Sequence, residues 1–271
     1  MTVGHIQAVD RALQILEALA EAGTPLTLSA ISARAGLHVS TAYRLLRTLH
    51  RRGFVEQDTE TGQYRIGVRA FRVGSSFLEE IGLGRRLRPM LADLAARTGE
   101  TANLVVRDSL EAVYIDHVIG NKVSKLFTEI GQRVPLHCTA VGKVLLAYAP
   151  PAERDDLLAH LDLRRLTPNT ITSRSALRRE LVAVRSAGCA VDREEHELGV
   201  ACVAAPVWGA SGHLVAAMGV SGPGGRVLTA VGALSERVRA AAAEASRALG
   251  GEAFRASEGQ RQPGRKGVVQ R

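Results

Sequence analysis

Apolar residues near the start of the chain recur with a helical period in three separate bursts. "AVDRALQILEALAEAG" sets Val9, Ala12, Leu13, Leu16, Leu19 and Ala20 at helical spacing and stops at Gly23. "PLTLSAISARAG" predicts a second, short helix with Ala30, Ile31 and Ala35 on its apolar side. Thr27 or Ser29 is placed to cap it, and Gly36 to end it in a left-handed conformation. "VSTAYRLLRTLHRRGFV" follows, with Ala42, Leu45, Leu46 and Leu49 forming one buried stripe. Ser40, Tyr43, Arg44, Arg47 and Arg51 occupy the other side. Two short runs, Phe54–Gln57 and Gln63–Ile66, then read as strands joined by turn residues Asp58 to Gly62. Helix, helix, turn, helix and β-hairpin, in that order, predict a winged helix-turn-helix over residues 1–67.

The pattern then changes. "VRAFRVGSSFLEEI" predicts a linking helix over 68–82. A further helix runs to about Arg97, followed by strand-like "TANLVVRD" and "EAVYIDHV" with "SLE" as the turn between them. "KLFTEIG" is read as another strand, and "TAVGKVLLAYAP" as a helix closed by Pro150 and Pro151. Two helices are expected near 151–160 and 174–187. Strands "GCAVDREE", "VACVAAPVW" and "HLVAAMGVSG" come next, and one helix from Leu228 to Leu249 closes the domain. Strands on one antiparallel sheet with flanking helices give an α+β fold over 83–250. The polar, turn-rich remainder, 251–271, is expected to be a disordered basic tail.

Charge sharpens this picture. The formal net charge is +8, and it is unevenly placed. Residues 40–52 hold Arg44, Arg47, Arg51 and Arg52 with no acid, and the tail from Gly250 sets five basic residues against two acidic ones. An anionic partner is permitted. Three cysteines, Cys138, Cys189 and Cys202, with no CxxC, argue against a disulfide framework and fit a reducing cytoplasm. No apolar run reaches the ~18 residues of a membrane helix, and no signal pattern opens the chain. The expectation is a cytoplasmic protein with no membrane partner.

The third helix meets the demands of a major-groove reader. It has an apolar side to hold it, short polar residues near its start to approach bases, and cations further along. Arg44 is the candidate for a base edge, since a guanidinium binds guanine through two hydrogen bonds. Thr41 and Tyr43 are candidates for phosphates, as are Arg65 on the wing and Arg51 or Arg52. The bland alternative is a solvated helix with ordinary surface arginines. The helix order and the "RRGFVEQD" exit into a wing favour double-stranded DNA. Aromatics are only 4% of the chain, which argues against a single-strand stacking platform.

"GLHVSTAYRLLRTLHRRGFVEQD", "PLHCTAVGKVLLA", "VDREEHELGVACVAAPV" and "MGVSGP", in this order, resemble the IclR family of bacterial transcriptional regulators, from about Val9 to Leu249. The resemblance implies a GAF-like C-terminal domain that binds a small effector. It also implies homodimers or tetramers on a partly palindromic operator. The family's effector contacts match Ala140, Val141, Asp192, Cys202 and Ser221 here. Many relatives carry Ser where this chain has Gly219, which removes a hydroxyl. Independently, "PLHCTAVGK" leads a loop into a helix start near Thr139. There the backbone N–H groups of Ala140, Val141 and Gly142 would face a carboxylate. Val123, Leu126, Val134 and Val200 are the expected apolar walls. Each choice has a plainer alternative: Cys202 as a small buried hydrophobe, Asp192 as a turn cap, Ser221 as a turn residue before Gly-Pro.

Enzymatic readings are weak. His137-Cys138 are adjacent, whereas a thiol's base normally comes from elsewhere in the fold. No GxSxG, HExxH or phosphate-loop spacing occurs. No cofactor is expected. His137, Cys138, Asp192, His196 and Cys202 match no standard zinc template, so no metal is assigned. The expected function is a ligand-responsive DNA-binding regulator, read as a repressor. The competing class is a metabolite sensor or oligomeric scaffold without sequence-specific DNA binding.

Overall fold

A computed structural model of the protein describes residues 6–80, 83–122 and 128–251. The chain divides into two compact units at residues 81/82.

The first unit holds α1 (Gln7–Ala22), α2 (Leu28–Arg34), α3 (Val39–Arg51), β1 (Val55–Gln57), β2 (Tyr64–Ile66) and α4 (Val68–Glu80). Thr27 caps α2 by accepting from the Ala30 N–H at 3.3 Å. Gly36 takes φ +63° in the turn to α3, the left-handed conformation that favours glycine. Ser32 fixes that turn, donating its hydroxyl to the Leu37 carbonyl while the Leu37 N–H bonds the Ser32 carbonyl at 2.9 Å. Ile15, Leu19, Ile31, Ala42, Leu46, Val55 and Tyr64 form one buried core, with Leu45 and Leu49 packed at its edge. The apolar stripe read from α3 is therefore what holds that helix down. β1 and β2 pair antiparallel. Leu26 adds a bridge to Tyr64 through two backbone bonds of 2.9 and 2.7 Å, an extra edge the sequence pattern did not suggest.

The second unit begins with α5 (Leu83–Thr98) and the hairpin β3 (Thr101–Asp108) and β4 (Glu111–Val118). It continues through β5 (Arg133–Pro135), α6 (Ala140–Ala147), α7 (Pro151–His160), α8 (Arg174–Ala187), β6 (Ala190–Arg193), β7 (Val200–Trp208) and β8 (Leu214–Pro223). It closes with α9 (Gly224–Thr229) and α10 (Val231–Ala248). The strands form one antiparallel sheet in the order β5-β4-β3-β8-β7-β6. Side chains alternate across it. Val105, Ala190, Ala204 and Ala217 join the core under α6, α7 and α8. Their strand neighbours Leu104, Val203 and Met218 are buried on the opposite face, where α5 and α10 pack.

Two expectations and one of the plainer alternatives need correction. The closing helix is two helices, interrupted at Ala230 (φ −98°, ψ 13°), with no Gly or Pro at the break to announce it. β8 runs on through Ser221, Gly222 and Pro223, so Ser221 is a strand residue and not a turn residue. Of "KLFTEIG", the first three residues lie outside the described residues and the rest is not strand; the neighbouring strand is β5 instead. The tail, 252–271, also lies outside the described residues.

α6 is pinned by an unusual group. Lys143 is fully buried, and its Nζ donates to Glu195 Oε1 at 2.6 Å, the Val191 carbonyl at 2.6 Å and Glu180 Oε1 at 3.0 Å. All three ammonium donors are thus satisfied. Gly142 lets the helix sit this close: a Cβ there would meet the Leu136 backbone at 2.5 Å. Lys143→Met leaves Glu195 buried without its counter-charge and is expected to cost about 3–5 kcal/mol. Urea melts of the full chain would measure this. A loss under about 1 kcal/mol would mean the network is dispensable to stability.

Candidate DNA interface and effector cavity

Ser40, Tyr43, Arg44, Arg47, Arg51 and Arg52 are all exposed on or at the end of α3, and Thr41 is half-buried. The Arg47 guanidinium lies over the Tyr43 ring, 5.9 Å from its centroid, which stiffens two long side chains together. Among the described residues no acid pairs with Arg44, Arg47, Arg51 or Arg52, so four guanidinium groups face outward with uncompensated charge. Arg65 is different. It donates through Nε and Nη2 to Glu56 Oε2 at 3.0 and 2.9 Å across the β1–β2 pair. A phosphate would have to compete with that carboxylate, which weakens the sequence reading of Arg65 as a free cation. At the wing tip, the Asp58 carboxylate accepts from the Thr61 and Glu60 N–H groups at 2.7 and 3.0 Å. Those bonds hold its pKa below the ordinary value.

The second unit contains a cavity of about 190 Å³ between the start of α6 and the sheet. Asp192 on β6, Cys202 on β7 and Ser221 on β8 are successive register partners, so their side chains share the face under α6. Ala140 and Val141 lie above them, and Val134 and Val200 contribute apolar wall. Seven residues read from the sequence therefore meet around one space. Gly142 does not join them: its N–H is used by the cap, donating to Thr139 Oγ1 at 3.1 Å, and the residue packs against Leu136 instead. The free donors at this helix start are those of Ala140 and Val141, which have no carbonyl within the helix to bond. Val123 and Leu126 lie outside the described residues.

The cavity is also lined by Asn103, Tyr114, Gln132, His196 and Glu197, none of which the sequence reading placed there. Asn103 carried a legible signal, a lone amide at an inward position of the apolar run "TANLVV". Gly219 is likewise at the wall. Any Cβ there would meet the Val203 carbonyl at 2.5 Å, so this chain's strands approach too closely at that point for a serine to enter unaltered.

The cavity's electrostatics are set by burial. Asp192 is 2% exposed, and its Oδ1 accepts from the Glu195 N–H at 2.7 Å, so it caps its turn and faces the cavity at once. Burial pushes its pKa up to about 7, with Glu195 adding to the rise and the Glu195 N–H and Lys143 opposing it. Burial likewise raises the Cys202 thiol and lowers the His196 imidazole. Both groups are therefore neutral at neutral pH. Cys138 is pushed to about 12 by burial, which makes it a poor nucleophile. His137 Nε2 contacts the Arg164 carbonyl at 3.1 Å. Among the described residues, no three His, Cys, Asp or Glu side chains converge as metal ligands.

A winged helix-turn-helix with an unpaired cationic face, joined in one chain to a cavity-bearing α+β domain, defines a transcriptional regulator with a sensory domain. Residues 8–59 match the IclR helix-turn-helix domain, and residues 75–247 match the family described as "Bacterial transcriptional regulator IclR C-terminal". The chain belongs to the IclR family, and it is a DNA-binding transcriptional regulator. It is 39% identical over 246 residues to the HTH-type transcriptional regulator XynR of Escherichia coli, covering 90% of this chain and 98% of that one. It is 36% identical over 254 residues to the transcriptional repressor IclR of the same organism, covering 92% of each. Among solved structures, an IclR homologue from Microbacterium hydrocarbonoxydans complexed with 4-hydroxybenzoate superposes with a TM-score of 0.80. It is 26% identical, with 89% of this chain and 98% of that one covered. Among the described residues no helix is long and apolar enough to cross a membrane.

The Asp192 carboxyl gives a pH prediction. The folded chain holds this proton more tightly than the unfolded chain does. Its contribution to stability is therefore full below the ordinary value of 3.8 and is lost as pH rises through about 7. Asp192→Asn, which keeps the shape and removes the charge, is expected to raise the melting temperature at pH 8. The gain should shrink steadily toward pH 5. Calorimetry across that range checks it, and a gain independent of pH would refute the assigned protonation.

Proposed function

We propose that this protein is a cytoplasmic repressor that acts as a homodimer or a pair of dimers, reads operator DNA with α3 and releases it in response to a small organic acid. The observation that carries the reading is the set of four unpaired arginines on and just after a helix whose other side is locked into a closed core. Such a helix presents its polar face in a fixed direction, as base reading requires. Arg44 reads a base edge, while Thr41, Tyr43, Arg47 and Arg51 hold phosphates. The exposed arginines count against the scaffold alternative. Residues 1–67 form the head, 68–82 the linker and 83–250 the sensor.

Dimer formation is supported by a second feature. Ile6, Val9 and Leu13 are 69%, 54% and 53% exposed and lie along one side of α1, and Val68 and Phe71 are exposed on α4 at 72% and 75%. An apolar stripe of this kind on a head that must read a two-fold operator fits a second copy of the chain. Two copies of α3 would then meet half-sites about one helical turn apart or a multiple of it.

The cavity is the effector site in this reading. The Ala140 and Val141 N–H groups receive an acid group, and Asp192 in its protonated form adds no opposing charge. That a structural relative holds 4-hydroxybenzoate supports an organic acid as the class of ligand. Linkage requires the effector to bind the DNA-bound and free forms unequally.

Gel shifts with the region upstream of the protein's own gene, against scrambled duplex, test the head. Arg44→Ala is expected to leave the fold intact and reduce preference for the natural fragment by about 10- to 100-fold. Arg47→Ala should weaken both duplexes and flatten the salt dependence by about one unit of slope. Unchanged sequence choice in the Arg44 variant would remove it from the base-reading role. Leu13→Glu should halve the oligomer of the full chain in sedimentation, dimer to monomer or tetramer to dimer, and weaken operator binding. A variant that keeps the wild-type oligomeric state would rule out this face as the interface.

A further inference from the structure

Ser221 and Asn103 form a pair at the floor of the cavity that is only half used. Asn103 lies on β3 opposite Gly219 of β8, and both residues line the cavity. Its side chain is 3% exposed. The amide nitrogen donates to Ser221 Oγ at 2.8 Å and lies 3.4 Å from the Thr101 carbonyl. That second neighbour decides which way the amide points. A carbonyl oxygen can only accept, so the group beside it is the NH₂ and the free atom is Oδ1. Asn103 Oδ1 is buried and has no hydrogen-bond partner among the described residues. Its register partner, Gly219, has no side chain to offer one. Ser221, having accepted from Asn103, still holds its own proton to donate.

The result is an acceptor and a donor side by side, both buried, at the wall of a cavity. A hydroxyl completes both: it donates to Asn103 Oδ1 and accepts from Ser221. A carbonyl completes only the serine, and a methylene completes neither. A cation is disfavoured there, because Asp192 stands on β6, three strands from β3, or roughly 14 Å at ordinary strand spacing. An ammonium beside Asn103 would lie buried without a counter-charge.

We propose that the cavity is built for a hydroxy acid, with Asn103 as the specificity-determining residue that receives the ligand's hydroxyl proton. The proposal rests on reading the cavity as an effector site with the acid group at the start of α6. It adds that a neutral hydroxyl, on the same molecule, is required beside Asn103 and Ser221. Leaving Asn103 Oδ1 unpaired when a ligand closes the cavity has a cost, and sites built around a ligand hydroxyl reject analogues that lack it.

Calorimetric titration of the full chain with two matched sets tests this. One set is lactate, pyruvate, propionate and lactamide; the other is mandelate, phenylglyoxylate, phenylacetate and mandelamide. Within at least one set the hydroxy acid is expected to bind at least about tenfold more tightly than the deoxy and oxo acids. Asn103→Ala should bring that ratio close to one by weakening the hydroxy acid alone. A general structural role would weaken every member of the set together. If the variant does not fold, the wild-type ratio remains a sufficient test. Equal binding of hydroxy and deoxy acids by the wild type, a ratio that survives Asn103→Ala, or no binding by either hydroxy acid would each overturn the proposal. A hydroxy amide that binds as tightly as its hydroxy acid would instead overturn the acid-binding role of α6 and leave Asn103 in place.

Discussion

The buried ammonium of Lys143 is the interaction on which the sensory domain depends. It reaches from α6 to α8 through Glu180, to β6 through the Val191 carbonyl, and to the following turn through Glu195. A charge so fully removed from water is tolerable only with all its donors met and a counter-charge at hand. Satisfying it fixes four pieces of chain at once. Glu195, held by the ammonium, presents its N–H to Asp192, which sets the Asp192 carboxyl at the cavity wall. α6, held from beneath, leaves the donors of Ala140 and Val141 directed into the same space. The geometry of the cavity thus follows from an ion pair that does not line it.

That dependence also explains the cavity's charge. Lys143 spends its positive charge on Glu195 and Glu180, and among the described residues no Lys or Arg lines the cavity. Asp192 sits close to a titration midpoint at neutral pH because burial outweighs the nearby N–H and ammonium. An acid group entering such a site meets backbone dipoles, not a side-chain cation. Backbone donors have fixed directions, so they select shape as well as charge.

Much of this was legible in the sequence because it follows from periodicity. The α3 seam of Ala42, Leu45, Leu46 and Leu49 fixes which arginines face outward, and the structure keeps them there. The apolar runs "VACVAAPVW" and "HLVAAMGVSG" predicted β7 and β8. What was hidden depends on contacts distant in sequence. The break at Ala230 has no local marker, and Leu26 becomes a strand edge only because Tyr64 arrives beside it. Gly142 looked like one more free donor, but the Thr139 hydroxyl three residues earlier takes its N–H. Arg65 looked like a free cation until the hairpin register set Glu56 opposite it. Asn103 was visible as an odd amide in an apolar strand. Its meaning required knowing that β8 brings a serine to one side of it and a glycine to the other.

The closed core of the head constrains how a ligand can act. Ile15, Leu19, Ile31, Leu46, Val55 and Tyr64 all come from the first unit, and together they bury the inner side of α3. The reading helix is therefore complete before any effector binds. A ligand in the sensory domain has no α3 side chain to order or release, so it cannot switch binding by building or dismantling the recognition surface. Under the proposed function its leverage must fall on the relation between the two heads of a dimer. Half-site spacing on DNA is fixed by the helical repeat, so a modest change in that relation breaks simultaneous contact. Loss of the second head then costs the operator its avidity while each head keeps its own affinity. It follows that effector should weaken binding to a two-half-site operator far more than binding to an isolated half-site.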